Sequence, residues 1–234
     1  MKLEVHPDAE SASRKAAAHI ARCARRAGRR FVLALSGGET PRRMVALLAE
    51  EAVPWGRVHV VQVDERIAPA GSGERNVTGF APLLPPGGNL PPAQLHAMPV
   101  ENPDAESAAR RYATALERLA GVPPVLDLVH LGLGADGHTA SLVPGDPVVD
   151  CVERDVAVTR SYQGYRRLTL TLPVINRTRQ IVWLVTGAAK APMLARLVYG
   201  DSTIPAGRVA RERATVFADR AAAVALREGR LGAG

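Results

Sequence analysis

Short apolar runs that stop abruptly, each set apart by longer amphipathic or polar stretches, constrain this chain more than anything else in it. Phe31–Leu35, Val58–Val63, Leu126–Leu131, Gln180–Val185 and Ala214–Ala218 are five or six residues long and read as buried strands. Lys2–Val5 and Val156–Thr159 add shorter candidates, and Arg167–Leu172 alternates strictly, the period-two pattern of a strand with one buried face. Helices are predicted between them. One begins at Asp8 or Ser11, runs to about Arg26 and stops at Gly28. The next has Thr40 as N-cap and Pro41 in its first turn, and runs to about Glu51. Two more are Pro103–Ala120, capped by Asn102, and Ala188 to about Tyr199; a short Ala-rich helix follows the last strand. Strands alternating with helices predict an α/β fold, a largely parallel open sheet flanked by helices. The 234 residues suffice for one sizeable core and are read as a single domain over 1–234, with the Gly/Pro-rich residues 67–93 as an excursion.

Composition narrows the function. No apolar run approaches the roughly 18 to 20 residues that span a bilayer, and no signal-peptide core is present, so no membrane partner and a cytoplasmic location are expected. Cys23 and Cys151 lie far apart, and the six histidines show no metal-ligand spacing, so neither a disulfide framework nor a metal is expected. The formal charge of +7 calls for an anionic partner. The charge is dispersed and aromatic residues make up only 4% of the chain, which favours a phosphorylated small molecule over nucleic acid. Only Lys2, Lys15 and Lys190 are lysines among 30 basic residues, which singles out Lys190 at a strand end.

The chemistry gathers where the strands end. In a parallel sheet such ends share one edge, where open α/β folds bind ligands. Ser36-Gly37-Gly38-Glu39-Thr40-Pro41 places glycine N–H groups at a helix N-terminus, an anion cradle from Ser36, Gly37, Gly38 and Thr40. It lacks the GK[ST] of a P-loop. Arg66 offers a planar fork and Lys190 a point charge for an anion. Of Asp64 and Glu65 at most one faces the site, because adjacent strand residues point to opposite faces; Asp64 is favoured. The Leu126–Leu131 run breaks into a loop with Gly132, Gly134 and Gly137 around Asp136 and His138. His138 is the candidate for proton transfer, since an imidazole titrates near neutrality. Asp136 either orients it or holds the loop. His130 reads as a core histidine, and Ser141 has no GxSxG elbow around it.

The blocks LALSGGETP, VHVVQVDER, LDLVHLGLGADGHTASLVPG, RLTLTLPVIN and VWLVTGAAKAPML, in order from about residue 31 to 195, resemble those of the 6-phosphogluconolactonases. The resemblance implies the glucosamine-6-phosphate deaminase/ribose-5-phosphate isomerase-like architecture, which is Rossmann-like. It implies a cytosolic hydrolase without metal or other cofactor, a monomer or weak homo-oligomer. Its substrate would be 6-phospho-D-glucono-1,5-lactone, opened in the oxidative pentose phosphate pathway. In the family the histidine of the DGH block, here His138, activates water, and Arg66 and Lys190 match residues associated with the substrate phosphate. Arg167 is a further candidate for that anion. Glu39 departs from the usual Ser or Thr, and after Arg66 only Asn76 matches the family's segment. Two other readings compete. The related isomerases and deaminases carry a glutamate five positions after the histidine, where this chain has Val143. A non-catalytic sugar-phosphate sensor would accompany a DNA-binding segment, and no helix-turn-helix precedes Phe31.

Overall fold

The structure, a computed structural model, describes residues 1–228. Its strands are β1 Lys2–His6, β2 Phe31–Leu35, β3 Val58–Gln62, β4 Asp64–Arg66, β5 Leu95–His96, β6 Leu128–Leu131, β7 Val156–Val158, β8 Arg167–Leu170, β9 Ile181–Val185 and β10 Ala214–Asp219. The helices are α1 Ala9–Ala27, α2 Glu39–Glu50, α3 Ala105–Ala120, α4 Leu172–Arg177, α5 Ala191–Tyr199 and α6 Ala225–Glu228. Seven strands form one sheet in the order β1-β10-β9-β6-β2-β3-β5, and every pairing in it is parallel.

Successive residues of the central strands pack on opposite faces. In β2, Phe31, Leu33 and Leu35 join α1 and α2 in one core, with Ile20, Met44, Phe80 and Phe217. Val32 and Ala34 join α3 and α5 in the other, with Tyr112, Leu116, Trp183 and Leu194. Both faces are covered, which is why these strands read as unbroken apolar runs. From β2 the chain moves outward to β3, whereas from β6 it moves to β9 on the other side. The sheet therefore reverses direction between β2 and β6, and ligands in such folds bind outside the strand ends at that reversal.

His130 on β6 is fully buried, with no partner for either ring nitrogen among the described residues. Burial alone lowers its pKa to about 3. An unfolded histidine takes up its proton near pH 6.5. Below that value the unfolded chain binds the extra proton, so His130 lowers stability as pH falls from about 6.5 toward 3, by up to about 1.4 kcal/mol per pH unit. Urea midpoints measured between pH 7 and 5 should fall, and less steeply in His130→Leu. His19, His59 and His96, whose pKa values burial also lowers, keep part of the slope.

The remaining strands depart from expectation. β4, β8 and β7 form a separate antiparallel sheet, so Asp64, Arg66 and Arg167 approach the site from above the parallel edge rather than along it. All four residues of β8 are buried, not one face only. Its polar face is covered by the loop after β6, where Thr169 Oγ1 accepts the Ser141 N–H (3.1 Å). The apolar-looking end of that segment turns instead into α4, with Pro173 in its first turn. Asp8 caps α1, accepting the Ser11 N–H at 2.7 Å. Asp104 rather than Asn102 caps α3, which starts two residues later than predicted, and Asn102 instead accepts the Asp104 N–H. Ala188–Lys190 is a 3-10 turn ahead of α5.

Candidate active site

A cleft of about 360 Å³ opens over the β2/β6 reversal. Ser36, at the end of β2, donates its hydroxyl to the His130 carbonyl (2.9 Å) and ties the two strands together there. Thr40 does not cap α2. The helix starts at Glu39 behind Gly38, and no side chain among the described residues caps its first N–H groups. Those donors remain available to an anion in the cleft. The Thr40 hydroxyl lies instead 3.4 Å from that of Thr186, at the end of β9. Gly37 is required by crowding, since a Cβ there would run into the Asn76 side chain.

Asp64 and Glu65 part company, as neighbours on a strand must. Glu65 is fully buried beneath the 67–93 excursion, where it accepts the N–H groups of Arg66, Asn76 and Val77 and faces Arg75 Nε at 3.4 Å. One carboxylate thus folds the excursion down, and Phe80, Leu83 and Leu90 anchor it in the core. Asp64 lines the cleft, and its carboxylate accepts the Ser141 hydroxyl at 2.7 Å. Burial pushes the Asp64 carboxyl up, against the Ser141 hydrogen bond and the Arg167 charge.

Three cations line the same space. Arg66 is steadied by Glu74, whose backbone carbonyl accepts at 2.7 Å. Arg167 is 4% exposed, and its Nε has no partner among the described residues. A buried donor left empty is costly, so its position favours an incoming acceptor. Lys190 arrives on the turn after β9, which Asp219 holds by accepting the Gly187 N–H (3.0 Å). Glu39 sits in the lining but is largely exposed to solvent.

The loop after β6 is not the flexible turn its glycines suggest. Gly134 N–H donates to the His138 carbonyl, Gly137 N–H to that of Gly134, Thr139 Oγ1 to that of Gly132, and Ala206 N–H to that of Gly137. Asp136 touches both the loop backbone and the imidazole. Its Oδ1 accepts the His138 backbone N–H (3.1 Å) and lies 2.5 Å from His138 Nδ1. Burial acts to raise the Asp136 pKa, but these contacts to His138 outweigh it and hold the carboxyl below its ordinary value.

Ser36, Gly37, Gly38, Thr40, Asp64, Arg66, His138, Arg167 and Lys190 thus share one cleft; Asp136 lies outside the lining and reaches it through His138. Not anticipated were Gln163 in the lining and Tyr162 beside it, at the tip joining β7 to β8. The turn was readable from Gly164 between two strand patterns. The contacts of Tyr162 with Asp136 and His138, more than 20 residues back in the sequence, left no local signal.

Fold and cleft define a doubly wound α/β protein with a cation-lined site at its topological switch point. Residues 7–218 match the family model of glucosamine-6-phosphate isomerases/6-phosphogluconolactonase, and the chain belongs to that family. A 6-phosphogluconolactonase of Synechocystis is 39% identical over 169 residues, covering 70% of each chain. The structure resembles a 6-phosphogluconolactonase from Thermotoga maritima at 25% identity, with a TM-score of 0.81 over 93% of this chain and 98% of that one. It resembles a monomeric glucosamine-6-phosphate deaminase in fold alone, at 21% identity and a TM-score of 0.83 over 96% of this chain and 100% of that one. Fold does not separate these activities; the site must.

Proposed function

We propose that this protein is a cytoplasmic enzyme that hydrolyses 6-phospho-D-glucono-1,5-lactone to 6-phospho-D-gluconate in the oxidative pentose phosphate pathway. The Asp136–His138 pair, set on a cleft that also carries Arg66, Arg167 and Lys190, is the observation that carries this reading. Asp136 at Nδ1 selects the tautomer with its proton there and leaves Nε2 as the acceptor. Nε2 takes a proton from water as the water oxygen attacks C1 of the lactone. The tetrahedral oxyanion is met by N–H groups of the turns. As it collapses, the C1–ring oxygen bond breaks, the ring oxygen takes the proton back from the imidazolium, and the new acid ionises. The cationic side chains hold the phosphate, each charge-assisted bond contributing roughly 1.5–3 kcal/mol, while the α2 N-terminus adds about 0.3–1.

The lactonase reading is favoured over amino-sugar phosphate isomerisation or deamination at Val143, which is buried and offers no carboxyl for ring opening. Freshly generated lactone and glucosamine 6-phosphate, offered in parallel, test the choice. The expected result is 6-phosphogluconate formation well above the spontaneous rate and no ammonia. Ammonia release without faster lactone opening would overturn it.

A further inference from the structure

The tip between β7 and β8 reaches into the site in a way the proposed reaction has not yet used. Tyr162 and Tyr165 exchange backbone hydrogen bonds (3.0 and 3.3 Å) across Gln163 and Gly164, whose φ values are 50° and 83°. Positive φ at both central residues marks the mirror-image two-residue hairpin turn, which is easy for glycine and strained for glutamine. That turn presents Tyr162 to two parts of the site at once. Its hydroxyl donates to Asp136 Oδ2 at 3.1 Å, the carboxylate oxygen left over after Oδ1 has engaged His138. Its ring meets the imidazole edge to face, 5.6 Å between centroids, and the Arg167 guanidinium carbon lies 5.1 Å from the ring centre.

We infer that Tyr162 is a positioning residue for the reaction proposed above: its hydroxyl fixes the Asp136 carboxylate on His138, and its ring braces Arg167 toward the substrate anion. The division of labour follows from the two ends of the side chain. The hydroxyl is a directional donor to a charged acceptor, and its loss frees Asp136 to rotate away from Nδ1. The ring face attracts a guanidinium without directing any hydrogen bond of its own, so it steadies Arg167; Nη2 donates to the Tyr162 carbonyl (3.4 Å) and to Gln163 Oε1 (3.5 Å), and Nε, without a partner among the described residues, is left for a ligand. The charged groups around this cluster are Asp136 and His138 on the loop after β6, Asp64, Glu65 and Arg66 on β4, Glu74 in the excursion that follows it, Arg167 on β8, Lys190 ahead of α5, and Glu39 at the start of α2.

The inference rests on the proposed lactonase reading, and two variants test it. Tyr162→Phe removes the hydroxyl and keeps the ring. It should lower kcat roughly 10-fold, the size of one hydrogen bond to a charged group, leave KM unchanged, and displace the acid limb of the kcat/KM profile. Tyr162→Leu removes both and should raise KM in addition. The His138 imidazole titration, followed by NMR without substrate and assigned by its loss in a His138 variant, should move in Tyr162→Phe. This readout needs no lactone turnover, so it separates failure of the positioning role from failure of the lactonase reading. Wild-type kcat and an unmoved His138 titration in Tyr162→Phe would overturn the inference. So would a Tyr162→Phe protein whose loss lies in KM alone.

Discussion

A His138→Ala protein is expected to turn over lactone about 10²–10⁴-fold more slowly than wild type, the contribution of a positioned general base. Its KM should change little, because the cations that would hold the phosphate are on β4, β8 and the turn before α5. The substitution is benign for the fold. The His138 side chain is 25% exposed, and the loop bonds made by its backbone N–H and carbonyl do not depend on the imidazole. Only the neutral form of an imidazole accepts a proton, so wild-type activity should fall on the acid side and that limb should vanish in the variant. Steady-state rates from pH 5 to 8 on fresh lactone, corrected for spontaneous opening, make the measurement. A folded His138→Ala protein with near wild-type kcat would remove the histidine from the mechanism.

Gly134→Ala is expected to approach that loss without removing a polar group. A Cβ on Gly134 would overlap His138 Nδ1 and Cε1 and sit 2.6 Å from Asp136 Oδ1, closer than real Cβ contacts come. The Gly134 backbone is not in the left-handed region, so alanine meets no strain of its own there. Something must therefore shift, and the cheapest movement swings the imidazole off Asp136. The expected result is a kcat loss of at least about 10²-fold, comparable to removing the base. Stability should be nearly unchanged, because the Gly134 N–H to His138 carbonyl bond survives. A double-variant cycle isolates the cause: if Gly134→Ala acts only through His138, adding it to His138→Ala costs almost nothing more. Additive losses would mean that the loop itself had been deformed.

Much of this molecule was legible before any coordinates. The all-parallel central sheet follows from Phe31–Leu35 and its counterparts, because a strand covered on both faces can afford no polar alternation. The cradle at Ser36, the cations at Arg66 and Lys190, and the Asp136–His138 loop were each visible as strand ends carrying charge and glycine. Other elements misled for identifiable reasons. Thr40 has the chemistry of an N-cap, but the chain enters α2 two residues early and leaves the hydroxyl to Thr186. The alternation over Arg167–Leu172 promised a half-exposed strand, yet the loop after β6 folds over its polar side. The glycines after β6 read only as a loop, whereas at Gly134 the backbone and the imidazole pack too closely for any Cβ.

The sequence by itself determined the layers, the strand ends that converge and the residue types able to move a proton or hold a phosphate, because periodicity and side-chain chemistry are local properties. Tertiary structure alone decided which of Asp64 and Glu65 enters the cleft and which builds its wall, that Asp136 bridges loop and imidazole, and that Tyr162 stands between carboxylate and arginine. The Asp64 and Tyr162 outcomes depend on contacts between distant segments, Ser141 with Asp64 and Tyr162 with Asp136, whose geometry exists only once the two sheets are stacked; the Asp136–His138 contact spans two residues but takes its shape from the folded loop around it.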